Sequence, residues 1–208
     1  MELQELLKIM ESLRGEKGCP WDKQQTRESL KPYIIEEAYE LFEAIEESKP
    51  DHIKEELGDL LFQIVFQCQI AKELGEFDMS DVIEAIGKKM IGRHPHVFGE
   101  VECRTPADVS KQWEVLKKRE GKMRESILEG VPKAMSALLR ARRLQKRAAQ
   151  VGFDWEKLDD VLTKVDEEMD ELKEAQTKKN REETEEEMGD ILFMLVNLSR
   201  FAGVNPED

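Results

Sequence analysis

Apolar residues recur along this chain at intervals of three and four, the spacing that lines one face of a helix. Leu3, Leu6, Leu7, Met10 and Leu13 predict a short amphipathic helix over residues 2–14. A loop from Gly15 to Thr26 follows and carries Gly18-Cys19-Pro20-Trp21-Asp22. The next helix is predicted from about Ser29 to Glu47, where Leu30, Ile34, Glu37, Leu41 and Ile45 form a stripe that sets an acid inside the apolar seam. Pro50-Asp51 opens a further helix to about Leu74, with Gly75 as its stop. Its middle, Leu60 to Ala71, is apolar nearly all round and is expected to be buried. Asp78 or Ser80 starts a helix reaching about Gly92. It cannot pass His94, because the residue before a proline is steered away from helical backbone. Thr105-Pro106 supplies a cap and first-turn pair for a helix to about Glu120. Residues 121–131 read as a linker. A helix from Pro132 to Gln150, a loop at Gly152-Phe153-Asp154-Trp155 and two long helices complete the pattern. No useful stretch alternates with a strand's period of two, so the fold class is all-α.

The last pair of helices repeats an earlier pair. Glu36-Glu37-x-x-Glu40 is followed after 15 residues by Glu56-x-x-Asp59, and Glu167-Glu168-x-x-Glu171 after 15 residues by Glu187-x-x-Asp190. Every pair is offset by 131, and residues 36–71 match 167–202 without a gap at 14 of 36 positions. The matches include Gly58/Gly189, Leu61/Leu192, Phe62/Phe193 and Ala71/Ala202, which a shared acidic composition would not place in register. The chain therefore reads as two tandem duplicated helical lobes, 1–120 and 132–208, joined by 121–131.

Composition narrows the partners. Only 39% of residues are hydrophobic and the net charge is −14, which argues against nucleic-acid and anionic-membrane binding. A phosphate ligand stays possible, because carboxylates can hold the divalent cation that accompanies it. No apolar run reaches 18 residues, so no membrane span is expected. Three cysteines without CxxC spacing fit a reduced, cytoplasmic setting.

Residues three apart share a helix face, so Glu37 with Glu40, and Glu56 with Asp59, each point one way. A short connection makes the two helices antiparallel, and four oxygen-donor groups then converge. The same holds for Glu168, Glu171, Glu187 and Asp190. Such a set suits Mg²⁺, which takes oxygen ligands and keeps waters for phosphate to displace, and Mn²⁺ also fits. The absence of Glu-x-x-His argues against di-iron. The competing reading is a solvated acidic face. Lys89 and Arg93, one turn apart, can meet phosphate oxygens or form a surface pair. Lys164, one turn before Glu168, can serve phosphate or pair with that acid. His94 and His96 can bind a metal, but beside a proline they read rather as part of a rigid loop. Trp21 and Trp155 can stack on a base or pack into the core.

The duplicated carboxylates, Cys19-Pro20-Trp21-Asp22 with Gln25-Thr26, Arg93-His94-Pro95-His96-Val97-Phe98-Gly99, and Val151-Gly152-Phe153-Asp154-Trp155 together resemble the MazG family of nucleoside triphosphate pyrophosphohydrolases. The resemblance covers nearly the whole chain. It implies an all-α enzyme that converts NTP to NMP and pyrophosphate with Mg²⁺, and a homodimer whose helix pairs complete four-helix bundles. Carried over, the metal ligands are Glu37, Glu40, Glu56 and Asp59 in one lobe and Glu168, Glu171, Glu187 and Asp190 in the other. Lys164 becomes a phosphate-side lysine, with Lys89, Arg93 and Trp21 as further substrate contacts. Glu36 or Glu167, outside the metal set, is the candidate to orient the attacking water. Asn205-Pro206-Glu207 is a helix-start signature, after which the family continues with a basic helix, so the second lobe is expected to be truncated. A dNTP-selective pyrophosphatase and a non-catalytic acidic interaction module are the alternatives.

Overall fold

The computed structural model describes residues 2–105, 108, 109, 112, 116 and 126–207. The chain divides into two compact units, Met1–Leu116 and Lys117–Asp208. Helices and their connections account for the described residues, and no strand occurs among them.

The first lobe contains α1 (Leu3–Arg14), α2 (Pro20–Gln24), α3 (Lys31–Glu47), α4 (Pro50–Glu73), α5 (Met79–Arg93) and the single turn α6 (Pro95–Phe98). Its core gathers Met10 of α1, Leu30 just ahead of α3, Val65, Phe66, Cys68 and Ile70 of α4, and Met79 of α5. Burying Phe66 and Val65 completely contributes about 1.5 to 3 kcal/mol each. The loop after α1 is less irregular than its sequence suggests, since Pro20 at the first turn starts α2. Arg14 ties this region to α4. Its guanidinium donates to Glu73 at 2.6 Å and to the carbonyls of Asp22 and Gln25, and lies 5.4 Å from the Phe66 ring centre. The start of α5 matches the expectation, because Asp78 accepts from the amides of Ser80 and Asp81. His94 ends α5, and the chain resumes one helical turn at Pro95. The helix expected from Thr105 to about Glu120 lies largely outside the described residues.

The second lobe contains α7 (Ala137–Ala149), α8 (Leu158–Lys178) and α9 (Arg181–Ala202). Val161, Leu172 and Ala175 of α8 are buried with Ile191, Met194 and Val196 of α9. Here α7 begins five residues after the expected Pro132. The reason is distant in sequence: the Glu207 carboxylate accepts from Ser136 Oγ and from the Leu139 amide at 3.2 Å, capping the helix there.

The duplication survives in three dimensions. α3 and α8 end at Glu47 and Lys178, α4 and α9 begin at Pro50 and Arg181, and both offsets are 131. The turns agree as well. Ser48 and Lys179 both adopt left-handed backbone, with φ of 56° and 53°. Ala44/Ala175 and Val65/Val196 are buried at matching positions. The expected burial of Leu60–Ala71 holds for one side only. Gln63, Val65, Phe66, Cys68, Ile70 and Ala71 are buried, while Leu61 and Ile64 face outward because no second helix pair covers them within the lobe.

Candidate metal centres

Each α-helical hairpin brings carboxylates together. In the first, oxygens of Glu37, Glu56 and Asp59 lie within 4.8 Å of one another, and in the second those of Glu168, Glu171 and Glu187 do. The octahedral shell of Mg²⁺ sets adjacent ligand oxygens about 3 Å apart and opposite ones about 4 Å apart, so side-chain adjustments fit these triads to a hard cation. Glu40 and Asp190 stand at the rim, exposed, and act on the triads through their charge.

The stripe that carries Glu37 runs through Leu30, Ile34 and Leu41 to buried Ala44, while Ile45 is exposed. Glu37 is thus half-buried on α3. Dehydration and the nearby charge of Asp59 raise its pKa, against a hydrogen bond from Gln63 Nε2 at 3.4 Å. Dehydration, then the charges of Glu56 and Glu37, raise that of Glu40. In the second lobe dehydration, followed by Glu171 and Glu168, does the same to Glu187. Each cluster thus resists holding all its charges unaided, which a cation relieves.

The two centres differ in their buried member. In the first it is Glu56, 7% exposed, and in the second Glu168, 6% exposed. These positions are not equivalent under the 131-residue offset, which pairs Glu37 with Glu168 and Glu56 with Glu187. Each buried acid has a basic side chain one turn before it. His52 Nε2 approaches Glu56 Oε1 at 3.2 Å, while its Nδ1 meets Glu47 Oε2 at 2.9 Å. The Glu47 hydrogen bond raises the His52 pKa. Lys164 Nζ lies 3.0 Å from Glu168 Oε1 and 3.0 Å from Glu167 Oε2, and these hydrogen bonds raise the Lys164 pKa, the Glu168 bond most. Two acceptor atoms beside the first cluster, Glu56 Oε2 and Gln63 Oε1, are buried without a hydrogen-bond partner. Buried acceptors of this kind call for a donor or a cation, and the donor set fits a divalent metal.

The remaining candidates lie around this frame. Glu36 and Glu167 are exposed on α3 and α8. Lys89 is exposed and forms no ion pair among the described residues, and Arg93 is half-buried at the end of α5. Trp21 is 51% exposed and meets Tyr33 edge-on at 6.1 Å between ring centres. Tyr33 is the counterpart of Lys164 under the duplication, so the first lobe has an aromatic pair where the second has its lysine. His94 donates from Nδ1 to the Met90 carbonyl at 2.7 Å and sits 5.6 Å from the His96 ring, as part of the turn. Trp155 is part-exposed beside Asp154, which pairs with Arg200. Sequence reasoning missed His52 and Gln63. The one available signal was His52 four residues before Glu56, a helical neighbour spacing.

Comparison with known proteins places the chain. The MazG nucleotide pyrophosphohydrolase domain model matches residues 25–98, and the phosphoribosyl-ATP pyrophosphohydrolase model matches residues 133–208. A nucleoside triphosphate pyrophosphohydrolase/pyrophosphatase MazG from Thermotoga maritima is 53% identical over 205 residues, 98% of this chain and 78% of that protein. A nucleoside triphosphate pyrophosphohydrolase from Escherichia coli is 45% identical over 211 residues, 99% of this chain and 80% of that protein. The crystal structure of a mazG-related protein from Thermotoga maritima is 29% identical and covers 56% of this chain and 99% of its own, with a TM-score of 0.49. Two domain models in tandem and near-full-length relatives at 45% and 53% identity lead to one assignment: this chain belongs to the MazG family of nucleoside triphosphate pyrophosphohydrolases.

Proposed function

We propose that this enzyme hydrolyses nucleoside triphosphates to the monophosphate and pyrophosphate with Mg²⁺, or Mn²⁺, held on its duplicated carboxylates. The ligands are Glu37, Glu40, Glu56 and Asp59 in the first lobe and Glu168, Glu171, Glu187 and Asp190 in the second. The observation that carries this reading is the pair of three-carboxylate clusters, each with one acid more than nine-tenths buried. Acids so placed cost several kcal/mol unless they are paired or coordinate a cation.

A divalent cation bound there supplies charge neutralisation to the phosphate oxygens as the α–β anhydride bond breaks. The chain's own residues do the rest. Glu36 or Glu167, exposed beside each cluster, orients the water that attacks phosphorus. Lys164 offers its ammonium to the phosphates, and Lys89 and Arg93 supply positive charge in the first lobe. Trp21, half exposed, stacks on the base. Water adds to the α- or β-phosphorus and gives up a proton to the orienting carboxylate or to solvent, the α–β anhydride bond breaks, and the products are the nucleoside monophosphate and pyrophosphate.

The assembly proposed is a homodimer. Ile35, Tyr39, Phe42 and Ile45 on α3, with Leu57, Leu61 and Ile64 on α4, are exposed large apolar side chains that a second helix pair would cover into a four-helix bundle. The setting proposed is cytoplasmic. No described helix is long and apolar enough to cross a membrane, and Cys19, Cys68 and Cys103 are free thiols.

The test is turnover of each NTP and dNTP with and without Mg²⁺, reading pyrophosphate against orthophosphate. Pyrophosphate release that stops in excess chelator is expected. Undiminished activity in chelator would sink the metal assignment, and activity confined to dNTPs would redefine the substrate. Glu168→Gln in the full chain should lower turnover and keep the helical circular dichroism; a loss of helicity would mark Glu168 as structural instead.

A further inference from the structure

The two centres are built from the same sequence motif yet differ in how their buried acid is satisfied. In the first lobe His52 engages only Glu56 Oε1, from the Glu47 side. Glu56 Oε2 stays buried without a donor, and so does Gln63 Oε1 of the residue that donates to Glu37. Two buried oxygens that no donor of this cluster reaches describe a place for a cation. In the second lobe Met194 replaces Gln63 under the offset, and no acid of that cluster has a buried, partnerless oxygen among the described residues. Lys164 already holds Glu168, with Glu167 as its second contact. The first lobe has no such lysine, because Tyr33 occupies the position and turns to Trp21.

We infer that in the nucleotide-free protein the first lobe alone holds a divalent cation, while in the second lobe the Lys164 ammonium takes that role until a triphosphate draws it away. The second lobe therefore loads its cation together with the nucleotide. The physical reason is competition for one buried carboxylate. An ammonium tethered one turn away has a high effective concentration, and it must find another anion before Glu168 is released. Triphosphate oxygens are that anion. This inference rests on the carboxylates being metal ligands, as proposed above.

The test counts Mn²⁺ bound per full-length chain without nucleotide, by electron paramagnetic resonance of free against bound ion. One tightly held ion is expected in the natural protein. It should be lost in Glu56→Gln and retained in Glu168→Gln, and Lys164→Met should add a second ion. Two ions or none in the natural protein, an ion lost through Glu168→Gln and kept through Glu56→Gln, or no gain in folded Lys164→Met each overturns the inference. Should Lys164→Met fail to fold, the comparison of Glu56→Gln with Glu168→Gln still decides it. Its failure is distinguishable from failure of the underlying reading. Pyrophosphate release that still needs a divalent cation, with two ions bound in advance, leaves the reaction standing and removes only the asymmetry.

Discussion

Two residues in this chain carry consequences out of proportion to their size. At Gly18 an added Cβ would lie 2.1 Å from the Leu13 carbonyl oxygen, which itself accepts from the Cys19 amide at 2.8 Å. Backbone, not a movable side chain, fills the space. Gly18→Ala should therefore destabilise the first lobe by roughly 1 to 3 kcal/mol, read as a lower urea midpoint; an unchanged midpoint would mean the loop shifts freely. Asp154 is the second. Its carboxylate accepts two guanidinium hydrogen bonds from Arg200, and these, ahead of any other influence, hold its pKa below the usual Asp range. A depressed folded pKa contributes stability that is present above the unfolded value, about 3.9, and is lost as pH falls through the lower folded value. Asp154→Asn should thus cost the second lobe roughly 1 to 3 kcal/mol at pH 7 and progressively less below about pH 4. Stability curves of the two proteins that stay parallel from pH 7 to pH 3 would refute this.

At the scale of elements, the hairpin turns are the informative feature. α3 and α8 both end on a non-glycine residue in left-handed backbone, Ser48 and Lys179. A side chain there costs about 1 to 2 kcal/mol relative to ordinary backbone, and glycine avoids most of it. Ser48→Gly and Lys179→Gly should each raise stability by roughly 0.5 to 1 kcal/mol, and the two gains should add, because each sits in its own compact unit. Thermal unfolding of the single and double variants checks this; a lower midpoint in either would show that the residue's side chain makes up for its backbone. Asn180, which follows Lys179, begins α9 by accepting from the amides of Glu182 and Glu183, so two capping devices meet in one tight turn. That turn fixes the antiparallel register on which the meeting of Glu168 with Glu187 depends.

For the whole molecule the apolar surface is decisive. The exposed faces of α3 and α4 carry Ile35, Tyr39, Phe42, Ile45 and Leu57, each about half exposed or more. A net charge of −14 opposes indiscriminate aggregation, so the apolar faces favour a defined partner over a disordered one. A homodimer in sedimentation at micromolar concentration is expected. Replacing Tyr39 and Phe42 together by Glu should yield a monomer with a lower thermal midpoint. A natural protein that sediments as a monomer, or a double variant that remains dimeric, would contradict a bundle formed on this face.

Much was legible in the linear pattern. Helical periodicity, Pro and Asp at helix starts and the 131-residue repeat led to an all-α chain of paired hairpins, since these signals act between residues only a turn or two apart. The clustering of Glu37 with Glu56 and of Glu168 with Glu187 followed from the same local spacing plus one short turn. What depends on contacts between distant residues stayed out of reach. The start of α7 is set by Glu207, about 70 positions away, and therefore lies past the proline that local rules favoured. The sequence treats the two clusters as copies. Packing buries Glu56 in one and Glu168 in the other, and sets His52 beside the first and Lys164 beside the second, residues whose duplicated counterparts are Glu183 and Tyr33. An acid's position on a helix face is a local property and repeats with the motif. Its burial and its partner depend on the neighbouring side chains that close over it, and those differ between the lobes.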